Sequence, residues 1–345
     1  MVIHVPADLI EKAKSDISIA KTLKLLFWLF DSGKHSWFLR PSDDPEIFSI
    51  PLLASFQEFI TKSITDDLYS HNNPTVLVRV CTPDYILERK KSFAEKRIEF
   101  KTFLDDKRLT AHDDFGNIHE FISIEIVETF LNRPLSIILE NAESDGLFIK
   151  TCLKLIAGID TEQCFLELVH GGGSTLPMVA ENIKGLQRVV CIVDSDKISP
   201  IQTPNNKKGW IRNIKKICNK YGYGVHVLNK HEMENYIPDE ALKRHLIKSS
   251  IDPDNFLYFW LTNEQKNYFD LKNGRLLWSD KCGVVQHAVN SAVVETSSTV
   301  ESDLYCPFGD QIWKAFACCS TAKELSSRDG QDELITVVNL VLRLL

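Results

Sequence analysis

The chain has 345 residues, of which 44% are hydrophobic and 25% charged, and its formal net charge at pH 7 is −7. This length indicates more than one domain, since a single domain usually has about 100–200 residues, and the composition excludes a wholly disordered chain. The negative charge argues against a protein that coats nucleic acid non-specifically, although a local basic surface is compatible with it.

The sequence also indicates where the chain resides. Its longest early apolar run covers residues 25–30, far fewer than the ~18 that a membrane span requires, and nothing before it has the pattern of a signal peptide. Nine cysteines are scattered without the spacing of a disulfide framework, which predicts reduced thiols. We therefore expect a cytoplasmic protein without membrane contact.

The first 134 residues have mostly helical patterns. Apolar side chains recur at helical spacing over residues 7–30 and 85–108. Between these segments, the sequence predicts a break rich in proline and aspartate at residues 40–45 and one strand at residues 76–80. We predict a mainly helical N-terminal region over residues 1–134.

Residues 135–250 alternate between short apolar strands and helix-length segments. Such alternation predicts an α/β domain of Rossmann-like type, in which a parallel four-stranded sheet lies between helices. Residues 251–345 are mixed in pattern, and we predict a C-terminal extension that packs on the sheet domain. The predicted elements are strands at residues 135–139, 164–169, 189–193 and 225–228, and helices at residues 144–156, 176–183 and 208–220.

Polar residues follow each predicted strand of this sheet. Glu140 follows the first strand, the turn Gly171–Gly172–Gly173 follows the second, Asp194 and Asp196 follow the third, and the segment from Lys230 to Glu234 follows the fourth. Parallel α/β sheets bind their ligands outside the carboxyl ends of the strands. The sequence therefore predicts one site built from these residues.

Two aspartates separated by one residue indicate a metal site. Like charges this close raise each other's pKa unless a cation lies between them, and hard divalent cations prefer oxygen ligands. Glu140, Asp194 and Asp196 would supply three carboxylates to Mg²⁺ or Mn²⁺, and two such ions could promote phosphoryl transfer.

An apolar strand that ends in glutamate ("LSIILENAESDGLFI"), a glycine turn about thirty residues later and a strand that ends in Asp-x-Asp resemble the TOPRIM fold of primases, topoisomerases and nucleases. The following segment "LNKHEMENYIPDEAL" resembles the overcoming-lysogenization-defect (OLD) nucleases and related short TOPRIM effectors of bacterial antiphage defence. The resemblance covers about 100 residues of the chain. It implies a metal-dependent endonuclease that acts on DNA or on structured RNA such as tRNA.

The resemblance also implies roles for individual residues. Glu140, Asp194 and Asp196 would bind two Mg²⁺ or Mn²⁺ ions, Glu234 would lie near the second ion, and Lys230 would face the scissile phosphate. The family has an acid four residues after its glutamate, where this chain has Ser144, so the auxiliary acid is either Glu143 or Asp145.

OLD proteins carry an ATPase in the same chain, and this sequence has no Gly-x-x-x-x-Gly-Lys-Ser/Thr loop. The resemblance therefore implies a separate ATPase partner, and the protein could form a homodimer. The unmatched residues 1–134 are the expected place for partner docking or substrate selection.

A basic run follows the Asp-x-Asp strand. As the exposed face of an amphipathic helix it would be polar in any case, and its position makes binding to a nucleic-acid backbone an equal alternative. The predicted nucleic-acid-binding residues are Lys207, Lys208, Arg212, Lys215 and Lys216.

Other functions are open at this point. Asp-x-Asp after a strand also occurs in aspartate-nucleophile phosphatases, which favour Thr or Val where this chain has Ile198, and in metal-dependent glycosyltransferases. Gly171, Gly172 and Gly173 either let a phosphate approach the sheet or simply form a tight turn. The departure at Asn141 and Ser144 leaves room for an inactive TOPRIM-like domain that binds nucleic acid or serves as a scaffold.

Overall fold

A computed structural model describes residues 2–38, 50–65, 76–112, 118–277, 307–329 and 332–345. The predicted break at residues 40–45 lies outside this described part. No helix in the described part is long and apolar enough to cross a membrane.

The N-terminal region contains a six-stranded mixed sheet with the order β2-β1-β3-β6-β5-β4. Strands β2, β1, β3 and β6 run parallel, and β5 and β4 continue the sheet in antiparallel fashion. The strands are β1 (Val2–His4), β2 (Ser36–Phe38), β3 (Val76–Cys81), β4 (Phe100–Phe103), β5 (Arg108–His112) and β6 (Ile118–Ser123).

Helices cover both faces of this first sheet. Helices α1, α2, α3 and α5 pack with one apolar cluster, and α4 packs against the other face through Ile86. The helices are α1 (Ala7–Ala13), α2 (Ile17–Asp31), α3 (Gln57–Thr65), α4 (Pro83–Glu95) and α5 (Val127–Leu131).

The expectation of only one strand in the N-terminal region is therefore wrong, although helices α1 to α5 contain more residues than its strands. The predicted strand at residues 76–80 is β3, and the helical pattern over residues 7–30 forms α1 and α2. The helix predicted over residues 85–108 is shorter in the structure. Helix α4 ends at Glu95, and the chain turns at Arg97, whose φ is +58°. The strands β4 and β5 follow this turn.

The second region contains the predicted parallel four-stranded sheet, with the order β10-β9-β7-β8. Its central strands β7 and β9 are buried at every residue, as expected for apolar strands covered on both faces. The strands are β7 (Leu135–Leu139), β8 (Leu166–His170), β9 (Val189–Val193) and β10 (Gly224–Val227).

Two helical layers enclose this sheet. One face packs against α6, α9 and the C-terminal helices, and the other packs against α7 and α8. The helices are α6 (Ser144–Ala157), α7 (Leu176–Asn182), α8 (Asn205–Tyr221) and α9 (Asp239–Lys248). The α/β architecture with a parallel sheet between helices is confirmed.

The C-terminal extension packs on the same sheet domain, because Phe316, Leu334 and Val337 belong to the core cluster of α6 and α9. Besides short 3-10 helices, it contains α10 (Asn263–Lys266), α11 (Ala322–Ser326) and α12 (Glu333–Leu342), and the strands β11 (Phe269–Asp270) and β12 (Arg275–Leu276).

Candidate active site

The carboxylates predicted from the sequence line one cleft at the carboxyl edge of the second sheet. The cleft has a volume of about 610 Å³, and the C-terminal extension closes part of its wall. Its acidic lining residues are Glu140, Asp145, Asp194, Asp196, Glu232, Glu234, Asp270 and Asp310.

Asp194 lies at the centre of this acidic cluster. Its side chain is buried, and its Oδ1 accepts a hydrogen bond of 2.9 Å from the backbone N–H of Met233. Burial raises its pKa well above the ordinary value, and the charges of Asp145, Glu140 and Glu234 raise it further. The protein therefore holds a carboxylate where ionisation is unfavourable unless a cation is near.

Glu140 follows β7 directly and lies beside the end of β9. Its Oε1 accepts hydrogen bonds from the backbone N–H of Asp194 at 3.2 Å and from Lys207 Nζ at 2.7 Å. Strand pairing between β7 and β9 brings these two strand ends together. The side chains of Glu140 and Asp194 thus meet because the strands that carry them are neighbours.

Asp196 stands two residues after Asp194 in an unusual backbone conformation. Its φ is +48°, in the left-handed region that a residue with a side chain seldom adopts, and its N–H donates to the carbonyl of His231 at 3.0 Å. The Ser195 hydroxyl donates to the carbonyl of Lys230. These bonds fix the Asp-x-Asp turn against the segment after β10.

Of the two candidates for the auxiliary acid, Asp145 lines the cleft and Glu143 does not. Asp145 is buried in the first turn of α6, where its oxygens accept bonds of 2.8 Å from the Asn141 N–H and the Ser144 hydroxyl. Burial raises the pKa of Asp145 from 3.8 to about 6. The hydrogen bonds from Asn141 and Ser144 lower this pKa, and the charges of Glu234 and Glu140 raise it. Glu143 is exposed.

The segment after β10 supplies two more acids. Glu234 is 2% exposed, and burial together with Glu234 raises the pKa of Glu232 from 4.5 to about 7. Lys272 of the C-terminal extension lies 3.1 Å from an oxygen of each of them. These charges raise the pKa of Lys272 even though its burial opposes this.

Lys207 does not belong to the exposed basic face. Its side chain is buried, with Nζ 2.7 Å from Glu140 Oε1 and 3.1 Å from Asp196 Oδ2. The other four predicted nucleic-acid-binding residues do lie exposed on α8: Lys208, Arg212, Lys215 and Lys216.

Lys230 does not face the cleft. It is 4% exposed, its Nζ donates to the carbonyls of Arg328 and Asn235, and it lies 4.1 Å from the centre of the Tyr236 ring. Burial lowers its pKa well below the ordinary value, and the charge of Arg328 lowers it further. The position of Lys230 therefore does not support a role at a scissile phosphate.

The glycine turn is built for close backbone contact. A Cβ at Gly171 would lie 2.7 Å from the carbonyl oxygen of Leu139, and Gly172 and Gly173 have φ values of +68° and +58°. The N–H of Gly173 donates to the carbonyl of Glu140 at 3.2 Å. The turn thus supports the backbone of Glu140, and its three glycines are not among the residues that line the cleft.

The Asn235 and Tyr236 side chains join the sheet domain to the C-terminal extension. Asn235 Nδ2 donates to the carbonyls of Lys266 and Phe269 at 2.8 Å each, and the Tyr236 hydroxyl donates to Glu333. Of the consecutive residues Glu234, Asn235 and Tyr236, the first therefore supplies a cleft carboxylate and the other two have structural contacts.

Sequence reasoning missed the contribution of the C-terminal extension. Asp270, Lys272, Asp310 and Trp313 line the cleft, and no strand or helix pattern in the sequence separates them from surface turns. Only the packing of the extension on the sheet domain brings them to Asp194.

Two lysines form ion pairs with the cleft carboxylates. Lys207 pairs with Glu140 and Asp196, and Lys272 pairs with Glu232 and Glu234. Within the described ranges no three His, Cys, Asp or Glu side chains are arranged to hold a metal ion. The donor set is nevertheless one of carboxylate oxygens, which suits Mg²⁺ or Mn²⁺.

Comparisons of the chain with family models, with curated proteins and with solved structures find no match. The function must therefore be argued from the cleft itself.

Proposed function

We propose that this chain is a divalent-metal-dependent hydrolase of phosphodiester bonds in nucleic acid, with a TOPRIM-like catalytic domain of the OLD type. The observation that carries this proposal is the buried carboxylate of Asp194 in a cleft lined by further acids. Burial raises its pKa, and four of these acids raise it further: Asp145, Glu140, Glu234 and Glu232. A structure that keeps acids together in this way favours a cation as their ligand.

We assign the residues that would hold the ions from the resemblance and from the carboxylates that line the cleft. Glu140, Asp194 and Asp196 would hold one Mg²⁺ or Mn²⁺ ion, and Asp145 and Glu234 would complete the site of a second. Bound ions of this kind lower the pKa of water and stabilise the leaving oxygen of a phosphodiester. The chain itself orients these acids through backbone N–H groups at Asn141, Asp194 and Met233.

The exposed cations of α8 would hold the substrate. Lys208, Arg212, Lys215 and Lys216 lie on the helix that begins beside the cleft, and contacts to phosphates position a nucleic acid without regard to sequence. Both DNA and structured RNA such as tRNA fit this mode of binding. The proposed setting, from the resemblance to defence effectors, is an antiphage system in which a separate ATPase controls the nuclease.

The decisive experiment incubates the protein with supercoiled plasmid and total tRNA, in Mg²⁺ or Mn²⁺ and in EDTA, beside the Asp194→Asn variant. We expect loss of one polymer only with metal and only with Asp194 intact. Asp254→Asn, an exposed aspartate outside the cleft, is the matched control and should cleave like the wild type. Cleavage that survives Asp194→Asn would refute the proposal.

A second candidate is a subunit that binds nucleic acid or acts as a scaffold without hydrolysis. The ion pairs of Lys207 and Lys272 favour it, because they already neutralise part of the carboxylate charge without metal. Calorimetric titration with Mn²⁺ separates the two functions. No binding at millimolar Mn²⁺ favours the scaffold, whereas binding that is lost in Asp194→Asn favours the hydrolase.

A further inference from the structure

Lys207 differs from every other cation of α8 in where its charge lies. It is 8% exposed, although the residue beside it, Lys208, is exposed on the same first turns of the helix. The ammonium lies 4.5 Å from the centre of the Trp210 ring and contacts the carboxylates of Glu140 and Asp196. A lysine buried in this way has a specific electrostatic partner rather than a solvent-facing role.

The two contacts of Lys207 bridge two strand ends. Glu140 follows β7 and Asp196 follows β9, so the ammonium lies between the same oxygens that would hold a metal ion at this edge. A divalent ion held by these oxygens would repel the ammonium strongly at such short range. The ammonium and the ion therefore compete for one position.

The place to which Lys207 would move is set by its position on α8. Its backbone lies on the helix that carries the exposed basic surface, and its flexible four-carbon side chain can redirect the charge without movement of the helix. A phosphate of a nucleic acid lying along Lys208 and Arg212 would provide the nearest new anion beside the metal-filled carboxylates.

We propose that Lys207 is the exchangeable cation of the cleft, which neutralises Glu140 and Asp196 when metal is absent and binds a substrate phosphate when metal is present. This inference rests on the proposed function and names a lysine for the phosphate-binding role that the sequence had assigned to Lys230. Lys207 would then compete with the metal ion for Glu140 and Asp196 and would bind the substrate phosphate once the ion is present.

The first test measures Mn²⁺ affinity by calorimetry. Lys207→Gln should bind Mn²⁺ at least about fivefold more tightly than the wild type, because removing a competing cation strengthens the binding of another. Lys207→Arg, which keeps the charge, should stay close to the wild type, and Lys208→Gln should be within about twofold of it. Thermal unfolding of each variant without metal verifies that it is folded.

The second test measures binding of a labelled single-stranded oligonucleotide as a function of salt, with Ca²⁺ and with EDTA. Each lost phosphate contact reduces the slope of log K against log salt by about 0.7 for a single strand. Lys207→Gln should reduce the slope only with Ca²⁺, whereas Lys208→Gln should reduce it in both conditions.

The outcomes separate this inference from the proposed function. If Asp194→Asn abolishes Mn²⁺ binding but Lys207→Gln leaves the affinity unchanged or weaker, Lys207 is not the competing cation and the hydrolase proposal stands. If the slope of log K against log salt is the same for Lys207→Gln and the wild type with Ca²⁺, Lys207 does not bind a substrate phosphate. If neither the wild type nor Lys207→Gln binds Mn²⁺, both proposals fail.

Discussion

Replacing Asp145 by asparagine should stabilise the metal-free protein. Burial raises the pKa of this carboxyl from 3.8 to about 6, and each pKa unit corresponds to about 1.4 kcal/mol. The ionised folded state is therefore less stable by about 3 kcal/mol above pH 7. Asparagine removes the charge and still accepts the hydrogen bond that the N–H of Asn141 donates to Asp145.

The pH dependence of this gain follows from the direction of the pKa change. Below pH 3.8 Asp145 is protonated in both the folded and the unfolded state, so its replacement has little electrostatic effect. Between pH 3.8 and about 6 the unfolded chain loses its proton first, and the wild type loses stability relative to Asp145→Asn. We expect the full difference at pH 7.5 and almost none at pH 4.

Urea unfolding in EDTA, at several pH values from 4 to 8, measures the difference directly. Glu143→Gln is the matched control, since this neighbouring acid is exposed and its replacement should change stability by less than about 0.5 kcal/mol. Saturating Mn²⁺ should stabilise the wild type more than Asp145→Asn. An asparagine variant that is less stable than the wild type at pH 7.5 in EDTA would refute the electrostatic reasoning.

Two further predictions concern the fold that carries the cleft. Glu120→Gln leaves the buried charge of Arg108 without its partner and should lower the free energy of unfolding by about 3–5 kcal/mol. Urea unfolding measures this loss, and Arg108→Met combined with Glu120→Leu should recover most of it. Gly171→Ala places a Cβ 2.7 Å from the carbonyl oxygen of Leu139 and should destabilise the protein by about 1–3 kcal/mol in thermal unfolding. Gly209 is a helical glycine with open space around it, so Gly209→Ala should stabilise the protein by up to about 1 kcal/mol.

The central strands were predictable to the residue, and the reason is burial on both faces. β9 is a continuous apolar run, β7 is apolar except for Ser136, and each is followed directly by an acidic residue. The outer strands β8 and β10 are only half-buried. Their predicted bounds differ from the observed ones by one or two residues at each end, because a partly polar strand merges into its flanking turns.

The N-terminal sheet could not be predicted because its strands are short and partly polar. β1 and β2 have three residues each, and β5 mixes Arg108, Thr110 and His112 with apolar side chains. Such segments gain their strand conformation from pairing: β1 pairs with β2 and with the distant β3, and β5 pairs with β4 and β6. Local pattern carries little information about pairing of this kind.

The lysines show where sequence reasoning about the site failed. Lys230 follows a strand of the sheet as a phosphate-binding residue would, and Lys207 begins a helix with a basic surface, so the sequence assigned the first to the cleft and the second to the surface. The structure shows the reverse arrangement. The side chain of Lys230 points into the core towards Arg328, and that of Lys207 points towards the cleft carboxylate Glu140. The direction of a long side chain depends on neighbours that only tertiary packing brings close.

The contacts between the two regions constrain what each can contribute to the proposed reaction. Arg108 of the N-terminal sheet donates to the carbonyl of Gly222, before β10 begins, and His35 packs against Phe165, before β8 begins. These contacts lie at the amino ends of the parallel strands, whereas the carboxylates lie at the carboxyl ends.

Among the described residues, the wall of the acidic cleft is therefore completed from the C-terminal extension through Asp270, Lys272, Asp310 and Trp313. In the proposed nuclease, substrate selection at the reacting phosphate would fall to this extension and to α8. The N-terminal region contacts the opposite edge of the sheet, where β8 and β10 begin. If the proposed ATPase binds the other surfaces of this region, its contact lies away from the cleft, and its control of the cleft would have to pass through the sheet.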